Sequence, residues 1–327
     1  MADYFHIERL ELLVTKTCNS RCMHCSAISP EINTASSFLD MEKLRFSIKK
    51  IMDLFTISSI MTYGGEPLLF PDVTIELHQI FKKYGVAKRE LITNGFFNLN
   101  NNDIFKIVTS LIEAGVNQIF LSVDAFHQEH IPIKYVETFI ENVLSTGFRN
   151  ILLHPAWLVD KENSNDFNIK TCHIIDKLKM KFNISVSNGN IIIPAGYSRN
   201  LLGDYYKNIN FDISKSCGEI PYTNSLVNIK NLRFLPNGNI NICRGVCIGN
   251  IFEDRIEDII NGYSPYEEPI TQMLLTGGVG NLVEHLKQIG GTIDPKEYFG
   301  ICDLCADCIK MIKRFKITGD VYLNKGG

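Results

Sequence analysis

Apolar and polar positions along the chain change period in a regular order. Leu10 to Val14 is an apolar run of strand length, and Asp40 to Leu54 carries Leu, Ile and Met at helical spacing. Ile57 to Tyr63 predicts a second buried strand that runs into Gly64-Gly65-Glu66-Pro67, after which Pro71-Asp72 opens a helix ending at Phe81-Lys82-Lys83. The pattern then repeats. Glu90–Thr93 (ending at Asn94-Gly95), Gln118–Val123, Asn150–Leu153 and Asn183–Ile193 read as strands; Asn102–Ala114, Ile133–Thr146 and Asn165–Met180 read as helices. Six strands alternating with helices predict an α/β fold. Its parallel sheet, curled by right-handed crossovers, is a partial (β/α)6 TIM-like barrel. Such folds carry their chemistry at the C-terminal ends of the strands.

From Ser214 the pattern changes, which places a boundary near residue 205 and divides the chain into 1–205 and 206–327. Apolar residues alternate on both sides of Pro236-Asn237-Gly238, so Leu226–Phe234 and Asn239–Cys243 predict a β-hairpin, followed by a helix over Asp254–Asn261. This second part is Cys-rich and of α+β type.

Composition narrows the function. Of the 327 residues 45% are hydrophobic, enough for a sizeable core, and the net charge of −3 without a dense Lys/Arg block argues against a nucleic-acid partner. No apolar run has membrane-spanning length, and Met1 to His6 lacks the features of an export signal, so a cytoplasmic protein with no membrane association is expected. Ten cysteines in that setting argue for metal ligation or reactive thiols over disulfides. Nine fall in two groups, 18–25 and 217–308; Cys172 stands alone and is expected to be a small core residue.

The first group, Cys18-Asn19-Ser20-Arg21-Cys22-Met23-His24-Cys25, follows the first strand. Three thiolates at C-x₃-C-x₂-C spacing can hold a [4Fe–4S] cluster with one iron left open for an exchangeable ligand. Zinc competes, but it usually wants four ligands. His24 could ligate, although its ring is expected to point outward from the loop. At the other strand ends, two glycines at Gly64-Gly65 allow close backbone approach to a ligand, and Ser122 and Asp124 share one face. Thr93-Asn94-Gly95 offers a further polar contact. His127 is either the start of a helix or a site residue, and Trp157 is either a packing residue or a wall of the site. In the second group, Cys217, Cys243, Cys247 and Cys302-Asp303-Leu304-Cys305-Ala306-Asp307-Cys308 supply four or more thiolates for a second cluster, with a Cys₄ zinc site as the alternative.

The cysteine motif resembles the C-x₃-C-x-Φ-C signature of the radical S-adenosylmethionine (SAM) enzymes, with His24 at the Φ position. The resemblance implies SAM on the open iron of a [4Fe–4S] cluster. It also implies a GGEP-like motif (Gly64, Gly65, Glu66, Pro67) that receives the SAM amino group, and Ser122 and Asp124 at the ribose, with Asn94 nearby. Arg199, in the segment after the sixth strand, is expected to pair with the SAM carboxylate. Cys217, the G-x₄-C spacing of Gly238 and Cys243, and Ile248-Gly249-Asn250-Ile251 resemble the twitch and SPASM domains, which hold auxiliary [4Fe–4S] clusters. On that resemblance Cys217, Cys243, Cys302 and Cys305 are the expected ligands, with Cys247 and Cys308 spare. The layout most resembles the enzymes that epimerise residues of ribosomal peptides. That implies a peptide substrate, hydrogen abstraction at Cα, hydrogen return from a thiol (Cys247 or Cys308), and a reductant such as flavodoxin or ferredoxin. Radical thioether or carbon–carbon crosslinking is the alternative within the class. A nonenzymatic iron–sulfur redox protein is the alternative outside it.

Overall fold

The computed structural model describes residues 4–25, 38–97, 99–207, 210–220 and 223–323. The barrel half is built from β1 (Phe5–Leu13), α1 (Met41–Leu54), β2 (Ser59–Tyr63), α2 (Pro71–Lys83), β3 (Lys88–Thr93), α3 (Asn101–Ala114), β4 (Gln118–Ser122), α4 (Ile133–Ser145), β5 (Ile151–His154), β6 (Ala156–Leu158), α5 (Asp166–Phe182), β7 (Ser185–Val186), β8 (Asn190–Ile192) and α6 (Tyr197–Leu202). There follow β9 (Ile229–Phe234), β10 (Asn239–Asn241), β11 (Cys247–Asn250), α7 (Ile256–Asn261), α8 (Pro269–Gln288) and α9 (Ile301–Leu323). Among the described residues no helix is long and apolar enough to cross a membrane.

Local chemistry starts and stops these helices where the pattern predicts. The Asp40, Asn100 and Asn165 side chains accept hydrogen bonds from the first-turn N–H groups of α1, α3 and α5. Pro71 sits in the first turn of α2, where its missing donor costs nothing. Strand alternation then sorts the barrel walls. On β1, Leu10 and Leu12 are fully buried beneath the helices, together with Ile48, Ile51 and Leu77. Their neighbours on the inner face are only half-buried: Arg9, Glu11, Met61, Tyr63, Ile92 and Phe120. A closed barrel fills its interior with packed side chains; this one is open.

The sixth predicted strand is not one strand. Ser185–Val186 pairs with β5 in the main sheet, whereas Asn190–Ile192 pairs with Ala156–Leu158 in a separate two-stranded ribbon. Pro155 and Gly189 cause the break. Pro155 has no N–H to give to the ladder. Gly189 adopts φ +75°, and a Cβ there would lie 2.3 Å from the Pro155 carbonyl oxygen. Trp157 closes the corner by donating its indole N–H to the Asn188 carbonyl at 2.9 Å, and it is buried: it packs.

The C-terminal hairpin forms as predicted but does not stand apart. Strand β9 pairs in parallel with β1, with Glu11 opposite Arg233, which extends the sheet to the order β11-β10-β9-β1-β2-β3-β4-β5-β7. One apolar core holds Leu10, Leu12 and Ile60 together with Leu232, Phe234, Leu304 and Ile312. Sheet and core therefore run across the boundary expected near residue 205. Cys172 corrects another expectation, since it lies exposed on α5 and not in the core. The apolar face of that helix is carried by Ile175 and Leu178 instead.

Candidate active site and second thiol set

The first cysteine group leaves β1 and is held by the end of β2. Gly65 N–H donates to the Thr15 carbonyl at 2.8 Å, and Glu66 N–H donates to the Thr17 carbonyl at 2.9 Å. A Cβ on Gly64 would lie 2.4 Å from the Thr15 oxygen, and one on Gly65 would lie 2.0 Å from the Thr17 oxygen. The backbone that these glycines admit is thus the chain's own, leading into Cys18. Asn19 fixes the loop from the other side: its amide oxygen accepts from Asn94 Nδ2 at 3.0 Å, and its Nδ2 donates to the Phe96 carbonyl. Asn19, Thr15 and Thr17 carry no motif signal, and the sequence reading missed them.

The three thiols are near enough to interact: Cys25 raises the thiol pKa of both Cys18 and Cys22, and Cys18 raises that of Cys22. Burial pushes Cys18 and Cys22 up to about 12, so without a cation both stay protonated. Iron displaces those protons and supplies the charge that such thiolates need. The donor set therefore fits a cluster.

Glu66 is fully buried. Its carboxylate accepts from the Leu68 N–H (2.9 Å), the Thr93 hydroxyl (2.7 Å) and the Asn94 N–H (2.7 Å). It ties the ends of β2 and β3 together, and Pro67 opens the short 3₁₀ turn that its side chain caps. Burial pushes its pKa up to about 7, against the pull of those three donors. A carboxyl raised on folding stabilises the fold below its unfolded value near 4.5, and the gain is lost as pH rises through 7. Metal-free protein is expected to lose roughly 3 kcal/mol through this group between pH 4.5 and pH 8. Denaturant titrations of wild type and Glu66→Gln across that range check it: the stability difference should change with pH in that direction, and a pH-independent difference would refute it.

Asp124 is also fully buried, and its four acceptor positions are taken. Oδ1 accepts from the Phe126 and His127 N–H groups, while Oδ2 accepts from His127 Nδ1 at 2.8 Å and the Ala156 N–H at 3.0 Å. Burial alone would raise its pKa, but the positive charge of His127 and the hydrogen bonds from its ring and backbone together outweigh burial and hold the carboxyl well below the usual range. Burial likewise opposes the charge on His127, and Asp124 overcomes it, so the His127 pKa is raised. As built, Asp124 has no acceptor left for ribose hydroxyls. Ser122, beside it, has a hydroxyl with no hydrogen-bond partner among the described residues.

His24 turns inward, against the sequence expectation. Its ring packs at 4.9 Å on both Phe126 and His127, and Phe126 belongs to a small apolar cluster with Cys22, Ala156, Leu158 and Ile192. Burial lowers its pKa to about 4, and its buried Nδ1 has no hydrogen-bond partner. That orphaned nitrogen and the Ser122 hydroxyl suit a polar ligand above the cysteine loop. His24, Asp124 and His127 also offer ligand atoms within 4.8 Å of one another. With every acceptor of Asp124 already used, this set serves the site as an ion pair beside a neutral imidazole.

Arg199 does not face this site. Its guanidinium pairs with Asp303 and Asp307, at 2.8 Å each, and stacks on Tyr298. The expected pairing with a SAM carboxylate is corrected on that ground: the arginine's charge is spent on α9.

Around the second group, Cys217, Cys243, Cys302 and Cys305 line one cavity of about 240 Å³, whose wall includes Glu11 and Arg233 from the inner face of the barrel. Burial raises the pKa of all four thiols, and Cys305 feels each of the other three. The remaining two lie elsewhere. Cys308 is fully buried in the core, and Cys247 is exposed on β11, lining a separate surface cavity with Tyr263 and Lys313. Neither thiol lines the four-cysteine cavity, which removes the geometric basis for either as a hydrogen donor there.

A strand-end cysteine loop braced by a Gly-Gly-Glu-Pro turn at the mouth of an open barrel is a decisive combination, and residues 12–168 match the model of the Radical SAM superfamily. This segment is a radical SAM domain. The chain is similar to the GTP 3′,8-cyclase of Clostridium botulinum (strain Hall), at 24% identity over 224 residues, 66% of each chain. The GTP 3′,8-cyclase of Actinobacillus pleuropneumoniae serotype 5b is 27% identical over 183 residues, 53% of this chain and 51% of that one. The chain thus spans between half and two thirds of the length of these relatives. The crystal structure of BtrN in complex with AdoMet and 2-DOIA resembles it in fold, with a TM-score of 0.50 at 16% identity over 84% of this chain and 89% of that one.

Proposed function

We propose that this radical SAM protein carries a second [4Fe–4S] cluster on Cys217, Cys243, Cys302 and Cys305, and that it modifies a peptide by an oxidative route that forms a crosslink. The observation that carries the reading is the single cavity shared by those four thiols and by Glu11 and Arg233 of the barrel's inner face. A substrate lying in the open barrel has the first thiol set at the strand ends and the second at its side.

When bound at Cys18, Cys22 and Cys25, the first cluster supplies the electron that splits SAM, and the second supplies a one-electron acceptor. The chain does the rest. The Gly64–Glu66 turn and Asn19 hold the cysteine loop in place, and Ser122 and His24 offer the polar contacts for SAM. The half-buried inner face orients the substrate, whose Cα–H is the bond proposed to break. A one-electron donor of the flavodoxin or ferredoxin type is the proposed partner, and a cytoplasmic setting suits ten free thiols. Epimerisation would instead need a donor thiol beside the substrate, and among the described residues Cys247 and Cys308 do not reach that cavity.

The test is anaerobic turnover in deuterated water with a panel of synthetic peptides. A product lighter by two hydrogens and free of solvent deuterium is expected; one deuterium at an unchanged hydrogen count would establish epimerisation. A second reading, a nucleotide substrate, rests on the relatives named GTP 3′,8-cyclase. Turnover of GTP with the peptide left unchanged would favour it.

A further inference from the structure

Helix α9 presents two sets of side chains on different faces. Cys302 and Cys305, three apart, face the thiol cavity. Asp303 and Asp307, four apart, face the barrel, where they meet Arg199 at 2.8 Å each. The contact is built from several groups. Asp303, 3% exposed, also accepts from the Gly196 N–H at 3.2 Å and lies 3.8 Å from Arg244, which follows the ligand candidate Cys243. The Tyr298 hydroxyl donates to Asp307 at 2.9 Å, and the Tyr298 ring stacks on the guanidinium. Cys308 continues the cysteine spacing but points into the core.

The C-x₂-C-x₂-C run gives α9 two equivalent choices. Turning the helix by about 60° and sliding it by about 4.5 Å along its axis would exchange the pair Cys302/Cys305 for the pair Cys305/Cys308 at the cavity, because three residues span 300° and three rises of about 1.5 Å in an α-helix. The thiols themselves discriminate weakly, since a buried thiol behaves much as a small hydrophobe does, while the buried Leu304 and Ile312 of α9 favour the observed face together with the ion pairs. The ion pairs discriminate strongly, because a buried carboxylate turned away from its guanidinium is left uncompensated.

We propose that Arg199 is a positioning residue: by holding Asp303 and Asp307 it fixes the rotation of α9, and so selects Cys302 and Cys305, with Cys308 excluded, for the second thiol set. That these thiols bind a cluster rests on the proposed function; the rotation does not. The test therefore uses the full chain freed of metal. Iodoacetamide labelling is read by peptide mass mapping and normalised to the exposed Cys172. In wild type Cys302 labels and Cys308 is protected. In Arg199→Met the ratio of Cys308 to Cys302 labelling is expected to rise about tenfold, with Cys302 falling as Cys308 rises. Arg199→Lys should restore most of the wild-type pattern. An unchanged ratio, or both thiols rising together as in a merely loosened helix, would overturn the proposal. Should Arg199→Met not fold, the Asp303→Asn/Asp307→Asn variant is judged by the same ratio. Iron content is measured separately, so a shifted ratio in a protein that never binds a second cluster refutes the cluster and leaves the clamp standing.

Discussion

A Cys18→Ala/Cys22→Ala/Cys25→Ala variant is expected to lose reductive SAM cleavage down to background while, with the second cluster proposed above, keeping about four of about eight irons per chain. The loss should be complete because these thiols are the donors at the strand ends, and among the described residues no group nearby can replace three of them. His24 and His127 stand close, but their neighbour Asp124 has no free acceptor. The retained iron follows from geometry. Cys217, Cys243, Cys302 and Cys305 line their own cavity against the β1–β9 pair and share no ligand with the first loop. Anaerobic reconstitution, iron analysis and chromatography of 5′-deoxyadenosine check both halves. A variant that still cleaves SAM would move the reaction elsewhere, and one that binds no iron would show that the second site depends on the first.

Gly65→Ala is expected to be the most damaging single methyl in the barrel. Its Cβ would lie 2.0 Å from the Thr17 oxygen and 2.4 Å from the Thr17 carbonyl carbon, and backbone cannot swing aside as a side chain would. Relief means separating the end of β2 from the cysteine loop and giving up two backbone hydrogen bonds, Gly65 to Thr15 and Glu66 to Thr17. Overpacking and the lost bonds together should cost about 3 kcal/mol. The damage falls on Cys18, next to Thr17, so first-site iron should fall in parallel while second-site iron stays. Chemical denaturation with iron analysis measures both; wild-type stability and full iron content would mean that the two segments are not coupled as described.

The sequence by itself determined most elements of the barrel half and the three-cysteine site. Period-two and period-3.6 patterns fix which segments become strands and helices, because each must hide one face from water. Alternation and right-handed crossover then force the strand ends to one rim. The cysteine loop, the Gly-Gly-Glu-Pro turn and Ser122 were legible for that reason: each is local, and each lies just past a strand. What depends on a distant partner was not legible. Arg199 looked like a ligand for SAM until Asp303 and Asp307, more than a hundred residues later, were seen to hold it. Asp124 looked free until its own turn and Ala156 filled its acceptors. The glycines looked open to a ligand until Thr15 and Thr17 occupied the space. The sixth strand broke because Pro155 and Gly189 meet across two elements. Charge, packing volume and hydrogen-bond capacity are each used once, and only the tertiary structure decides which neighbour uses them.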